Sequence, residues 1–238
     1  MKHSPQYHGV YSDLLAYTGL SPADLEKRLE RREHFHFEGE HAWWDPKSVG
    51  ELTWFYRSSV SYLFANADHP QASEIIAQLE SEDGPVLDYS GGVGSTVLGL
   101  AAKNISCHYF GIGVQEVAFA EFRVERRSAQ HLVKIVSPYA FIEGEYRFHA
   151  YKSIPEASYG AIVAMDVLEH IPDYHVTAKH LAGLLRRGGL FFESSPFDNA
   201  SDDPLAIHQR ASVAMADALE GLEFVKRLEG GIKVWRKP

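Results

Sequence analysis

The chain has 238 residues, 45% of them hydrophobic, enough apolar material for one full core without disulfide or metal staples. Its 23 Lys plus Arg against 32 Asp plus Glu give a formal charge of -9, which repels a phosphate backbone and sets nucleic acid aside as the main partner. A single cysteine, Cys107, excludes an internal disulfide and any cysteine-based zinc cluster, and fits a reducing compartment.

The run Met1-Lys2-His3-Ser4-Pro5-Gln6-Tyr7-His8 has no apolar core of signal-peptide length, and no later apolar run approaches the roughly 20 residues that span a bilayer. The expectation is a soluble, unprocessed, cytoplasmic protein with no membrane partner. The first third reads as helical. Ser21-Pro22-Ala23-Asp24 offers a capping hydroxyl, a proline at the first helical position and an acid in the first turn, so a helix of about twelve residues is predicted there. Leu52, Phe55, Tyr56, Val60, Leu63 and Phe64 recur at steps of three and four, which predicts a second helix over roughly 48–66. A third follows Pro70 with Ile75, Ile76 and Leu79 inward, and Asp83-Gly84-Pro85 ends it.

From Pro85 onward, short apolar runs alternate with amphipathic stretches, the signal of strands and crossover helices in a parallel sheet. Strands are predicted at Val86 to Tyr89, Ser106 to Ile112, Tyr146 to His149, Gly160 to Met165 and Gly189 to Ser194, with helices over about 94–103, 115–130, 173–187 and 203–220. Leu222 to Leu228 and Ile232 to Arg236 flank Gly230-Gly231 and predict a closing antiparallel hairpin. Residues 132–145 fit no pattern. The organisation expected is a helical lid and substrate-binding segment over 1–84, then an α/β domain over 85–238.

Val86-Leu87-Asp88-Tyr89-Ser90-Gly91-Gly92-Val93-Gly94-Ser95-Thr96 stands where the first strand gives way to a helix. Glycines there admit a ligand close to the backbone, and free amides at the helix start favour polar or anionic groups, so a nucleotide-like guest fits. Such turns also serve simple packing. A dinucleotide-binding G-x-G-x-x-G would use Gly92 and Gly94, but Val97 stands where its third glycine belongs and the acid expected about 20 residues on is missing.

The turn resembles instead the first motif of class I S-adenosylmethionine-dependent methyltransferases: Asp88, Gly92 and Gly94 match it, and Ser90 replaces the first glycine. Two later stretches extend the resemblance. Tyr159-Gly160-Ala161-Ile162-Val163-Ala164-Met165-Asp166-Val167-Leu168-Glu169-His170-Ile171-Pro172 is similar to the family's fourth-strand motif, and Leu184 to Glu193 to the double-glycine turn that leads into its fifth strand. What the resemblance implies is a Rossmann-like, mostly parallel seven-stranded sheet with a carboxy-terminal antiparallel hairpin and an amino-terminal helical lid. It further implies S-adenosylmethionine as cofactor, with Asp88, Tyr89, Ser90, Gly92, Gly94, Gly111, Ile112, Gly113, Tyr151 and Asp166 as candidate binding residues.

The chain departs from that pattern twice. The family's second strand ends in an acid that accepts both ribose hydroxyls, whereas Phe110-Gly111-Ile112-Gly113-Val114 puts Gly111 or Gly113 at its place; Gln115, Glu116 or a water are the alternatives. Before Ile154-Pro155, where the family has an acid near the adenine, Ala150 stands, followed by Tyr151, whose ring offers another contact.

Methyl transfer is an in-line displacement, so the enzyme chiefly orients the acceptor and excludes water. A hydroxyl or ammonium acceptor adds the need for a base, for which His170 and His208 are the catalytic candidates; each also reads as a structural or surface histidine, and Glu169 shares the ambiguity of His170. Glu33-His34-Phe35-His36-Phe37-Glu38-Gly39-Glu40-His41 holds competent metal ligands in no metal-binding spacing, and reads as a solvated face, so no metal is expected. Phe35, Phe37, Trp43, Trp44, Trp54, Phe55, Tyr56 and Tyr62 dock the helices or line an acceptor pocket, and Arg57 suits a carboxylate or a surface pair. The partner expected is a small-molecule acceptor, with an aromatic helical face suited to a homodimer. The competing expectations are a fold relative without activity, and an enzyme that uses the cofactor for other chemistry.

Overall fold

The computed structural model describes residues 7–30, 62–65, 67, 72–80, 84–111, 113–136, 154, 158–171, 174–197 and 213–238. The apolar runs of the second part become one sheet. Its strands are β1 (Val86–Tyr89), β2 (Cys107–Phe110), β3 (Val133–Val136), β4 (Tyr159–Met165), β5 (Leu185–Ser194), β6 (Glu223–Arg227) and β7 (Lys233–Arg236). They lie in the order β3-β2-β1-β4-β5-β7-β6, a seven-stranded sheet. The first five run parallel, and β7 pairs antiparallel with both β5 and β6. The order reverses between β1 and β4, which opens a crevice at the carboxyl ends of those strands.

The central strands read as unbroken apolar runs because both sheet faces are covered. On β1, Leu87 and Tyr89 join a core with Phe110, Ile162 and Phe191, while Val86 faces the other way with Cys107, Tyr109, Val163 and Phe192. The covering helices are α1 (Tyr7–Thr18), α2 (Pro22–Glu30), α3 (Tyr62–Ala65), α4 (Ala72–Ala77), α5 (Ser95–Ala102), α6 (Val114–Arg126), α7 (Tyr174–Leu184) and α8 (Met215–Ala218). A third apolar cluster joins Val10 and Leu14 of α1, Leu25 of α2 and Leu63 and Phe64 of α3 to Val93 and Phe119. The amino-terminal helices are thus docked on the turn after β1 and on α6.

The start of α2 follows from its sequence: the Ser21 hydroxyl accepts the Asp24 amide at 3.2 Å and donates to the Asp24 carboxylate at 2.6 Å. Several boundaries differ from expectation. The third strand of the sheet is Val133–Val136, in the stretch without a pattern; with only Val133 and Val136 buried, four residues are too few to display an alternation. The predicted strand Tyr146 to His149 lies outside the described residues. The helix over 115–130 stops at Arg126, and that over 173–187 at Leu184, because the chain enters β5 at Leu185, where it pairs with Tyr159 of β4. Helix α1 had no counterpart among the predicted elements. Of the helix expected over 203–220, α8 is the described part, and of that over 48–66, α3. Among the described residues no helix is long and apolar enough to cross a membrane.

Candidate functional site

The turn after β1 is made by left-handed backbone at Ser90 (φ 64°), Gly92 (φ 51°) and Gly94 (φ 75°). Gly94 is the residue that caps α5. Ser90 occupies a conformation that favours glycine, so the position that departs from the family motif keeps a glycine-like backbone. The Ser90 and Gly91 amides both donate to the Phe110 carbonyl, at 2.8 and 3.2 Å, which ties the turn to the end of β2.

Asp88 is buried beneath this turn. A Cβ added to Gly91 would stand 2.4 Å from Asp88 Oδ2 and 2.9 Å from the Tyr109 ring, so glycine there leaves room for the carboxylate. Asp88 Oδ2 has no hydrogen-bond partner among the described residues. Together with Ser90, Gly91, Ser95, Met165 and Ile75 of α4 it lines a cleft beside the turn. Burial raises the Asp88 pKa to about 7. Tyr109, buried under the same turn, donates its hydroxyl to the Gly92 carbonyl at 2.7 Å, and a Cβ at Gly111 would come within 2.6 Å of that oxygen. Tyr89 stacks on Phe110, centroids 4.9 Å apart, as part of the core.

At the end of β4, Asp166 has φ 49°; its amide donates to the Ser194 carbonyl at 2.7 Å and its carboxylate accepts the Ser194 hydroxyl at 2.8 Å. The 3-10 turn Leu168–His170 follows. His170 Nε2 lies 3.8 Å from Glu169 Oε1, so the pair sits together at the strand end. Burial, with Asp166 and Glu193 adding, pushes the Glu169 carboxyl up to about 8. Glu193, also buried, accepts Lys233 Nζ at 2.9 Å and Trp235 Nε1 at 3.4 Å.

The sign of these shifts sets a pH dependence. Asp88 and Glu169 hold their protons more tightly folded than unfolded, from ordinary values of 3.8 and 4.5 up to about 7 and about 8, so the stability they contribute is full at low pH and is lost as pH rises through the folded values. Urea unfolding is therefore expected to give a lower midpoint near pH 8.5 than near pH 5.5, and Asp88→Asn with Glu169→Gln to flatten the difference. A pH dependence untouched by the two substitutions contradicts this.

Three residues here had no sequence signal. Arg123 of α6, buried, donates to the Val93 carbonyl, to Ser95 Oγ at 3.1 Å and to Asp13 Oδ2 of α1 at 2.9 Å. Arg127 and Arg126 reach the same Asp13 carboxylate at 2.5 and 3.5 Å. Asp13 and Arg123 lie 110 residues apart, so no local spacing announces them. Tyr109 likewise looks like any aromatic on a buried strand.

Asp88, Ser90, Gly92 and Gly94 thus lie on or beneath one turn, with Asp88 and Ser90 lining the cleft beside it; Asp166 and His170 follow the neighbouring strand β4, and Gly111 and Gly113 follow β2. Ile112, Tyr151 and His208 lie outside the described residues, as do Arg57 and the histidine-rich segment 33–41. Among the described residues no group of three or more His, Cys, Asp or Glu could hold a metal ion.

A parallel sheet with a carboxy-terminal antiparallel pair and a glycine turn at its switch point is the class I methyltransferase architecture. Residues 56–225 match the family model of the methyltransferase domain, and the chain belongs to the S-adenosylmethionine-dependent methyltransferase family. Among solved structures it resembles PigF with SAH (TM-score 0.59, 13% identity, 95% of this chain and 73% of that one). It also resembles TehB from Haemophilus influenzae (TM-score 0.53, 17% identity, 72% of this chain), of whose length it spans 63%. The [4+2]-cyclase SpnF is similar as well (TM-score 0.51, 16% identity, 94% of this chain and 75% of that one). At these identities the likeness is one of fold. No curated protein matches the chain significantly in sequence.

Proposed function

We propose that the protein is a cytoplasmic methyltransferase that binds S-adenosylmethionine at the crevice beside the β1 turn and methylates a small-molecule acceptor. The observation that carries this reading is Asp88: a buried carboxylate with an unpartnered oxygen, lining a cleft under a glycine turn, suits a ligand that brings a cation. The cofactor's amino-acid end has such an ammonium, and its carboxylate suits the free amides at the start of α5. When bound, the cofactor supplies an electrophilic methyl group on a sulfonium.

The residues of the chain would then do three things. Asp88 and the turn hold the amino-acid end. The amino-terminal segment 1–84, of which the described helices α1 and α2 pack on Val93 through Val10, Leu14 and Leu25, would cover the crevice and keep water out. His170, at the end of β4, takes a proton from a hydroxyl or ammonium acceptor, with Glu169 beside it; His208 is the second candidate for that role. The acidic net charge disfavours nucleic acid and supports a metabolite as acceptor. A homodimer through the amino-terminal helices belongs to the same proposal.

A second reading keeps the cofactor but not the transfer. It is favoured by the likeness to a fold neighbour described as a [4+2]-cyclase, and methylated product formed from SAM and a panel of small acceptors would remove it.

Calorimetry with S-adenosylmethionine and S-adenosylhomocysteine (SAH) tests the cofactor site. Gly94→Val puts a branched side chain on a backbone with φ 75°, its Cβ 3.2 Å from that of Ala120, and is expected to abolish binding. Asp88→Asn keeps the shape and removes the charge, and is expected to weaken binding about tenfold or more. Wild-type protein that is folded yet binds neither compound up to millimolar concentration overturns the proposal.

A further inference from the structure

Val93, between Gly92 and Gly94 of the β1 turn, is held in two ways. Its side chain, 1% exposed, shares an apolar cluster with Val10 and Leu14 of α1 and Leu25 of α2. Its carbonyl accepts Arg123 Nη1, and the same nitrogen donates to Ser95 Oγ at 3.1 Å. Ser95, the first residue of α5, lines the cleft beside the turn. On the other side of the guanidinium, Nε donates to Asp13 Oδ2 of α1 at 2.9 Å. One buried fork thus joins a carboxylate of α1 to the residues on both sides of Gly94.

Arg126 and Arg127 reach the same carboxylate from more exposed positions, but the contacts described for them stay on α1 and α6. Arg123 differs by also gripping the turn. A rigid planar fork cannot serve one partner without fixing its angle to the others. When α1 leaves, the guanidinium loses its counter-charge, and a buried cation without one does not keep its place. Val93 and Ser95 then lose their donor. We infer that Arg123 is a positioning residue that couples the docking of α1 to the shape of the cofactor turn, so that a ligand in the cleft and the docked helix strengthen each other. This rests on the cofactor reading above. The coupling is reciprocal: the factor that the ligand adds to docking is the factor that docking adds to the ligand's affinity.

The test is amide hydrogen exchange of the full chain with and without SAH, beside calorimetry. Amides of α1 exchange when that helix undocks, those of β1 and β4 only when the core opens. In the wild type, SAH is expected to slow α1 exchange about fivefold or more, as ordinary couplings do. Arg123→Lys keeps a charge for Asp13 but replaces the fork by a single point. It is expected to stay folded, to cut the slowing below about twofold, and to weaken SAH binding by the factor lost. Ser95→Ala leaves the buried ion pair intact; it is expected to reduce the slowing to a smaller extent, and carries the test should Arg123→Lys not fold. Arg126→Ala removes a contact to Asp13 that does not involve the turn, and is expected to leave the slowing unchanged. A merely structural role for Arg123 would alter exchange in the core and leave the response of α1 to SAH as it was.

SAH that binds without slowing α1 exchange overturns the inference and leaves the cofactor site standing. So does a folded Arg123→Lys variant in which SAH slows α1 exchange as in the wild type. Folded wild-type protein with no affinity for SAH overturns the cofactor reading and this inference together.

Discussion

Asp13→Ala is expected to destabilise the protein by about 3–5 kcal/mol in urea unfolding, the usual cost of removing one partner of a buried ion pair. The carboxylate is 1% exposed and Arg123 4%, so the guanidinium left behind would be buried without its counter-charge. Burial already draws Arg123 below its ordinary pKa, against which the Asp13 hydrogen bond acts. Arg126 and Arg127, with 44% and 34% of their side chains exposed, are screened by water and add much less. Asp13→Leu combined with Arg123→Met should cost less than the two single losses summed, because neither charge is then stranded. An Asp13→Ala variant with wild-type midpoint and slope would show that the pair carries no stability.

Tyr109→Ala is expected to cost a similar amount, about 3–5 kcal/mol, since it empties a fully buried aromatic position. Here the cavity opens directly beneath the turn, between Gly91 and Gly111, so SAH affinity is expected to fall with stability. Tyr109→Phe separates the two contributions. It keeps the ring but leaves the Gly92 carbonyl without the hydroxyl's hydrogen bond, which is worth about 1 kcal/mol. If Tyr109→Ala unfolds at the wild-type midpoint, the ring does not support the turn.

Much of the architecture was legible in the chain because parallel strands are short apolar runs bounded by turns. Val86–Tyr89 and the run ending at Met165 announce themselves in this way, and Gly230-Gly231 marks the turn of the final hairpin. Strand β3 escaped because Lys134 is exposed and the run ends after four residues. Helix α1 escaped because what buries it, Val93 and Phe119, lies far away in the sequence. The turn of the candidate site was readable from its glycines, and Asp88 from its position at the strand end. Arg123 was not, since its meaning lies in three partners on two other segments. The glycines after β2 looked like a deficit in sequence, and only the Glu116 carboxylate, whose Oε2 lies 1.9 Å from where a Cβ at 113 would stand, gives Gly113 a reason.

Three glycines around the crevice each yield their side-chain space to one polar neighbour: Gly91 to Asp88, Gly111 to Tyr109 and Gly113 to Glu116. Such positions are not independent letters. The effect of changing either member depends on the other, so additivity fails within each couple. A scan of single substitutions would score these glycines as intolerant without revealing what they make room for. Redesign of this crevice has to proceed by twos, exchanging the small residue and its occupant in the same step.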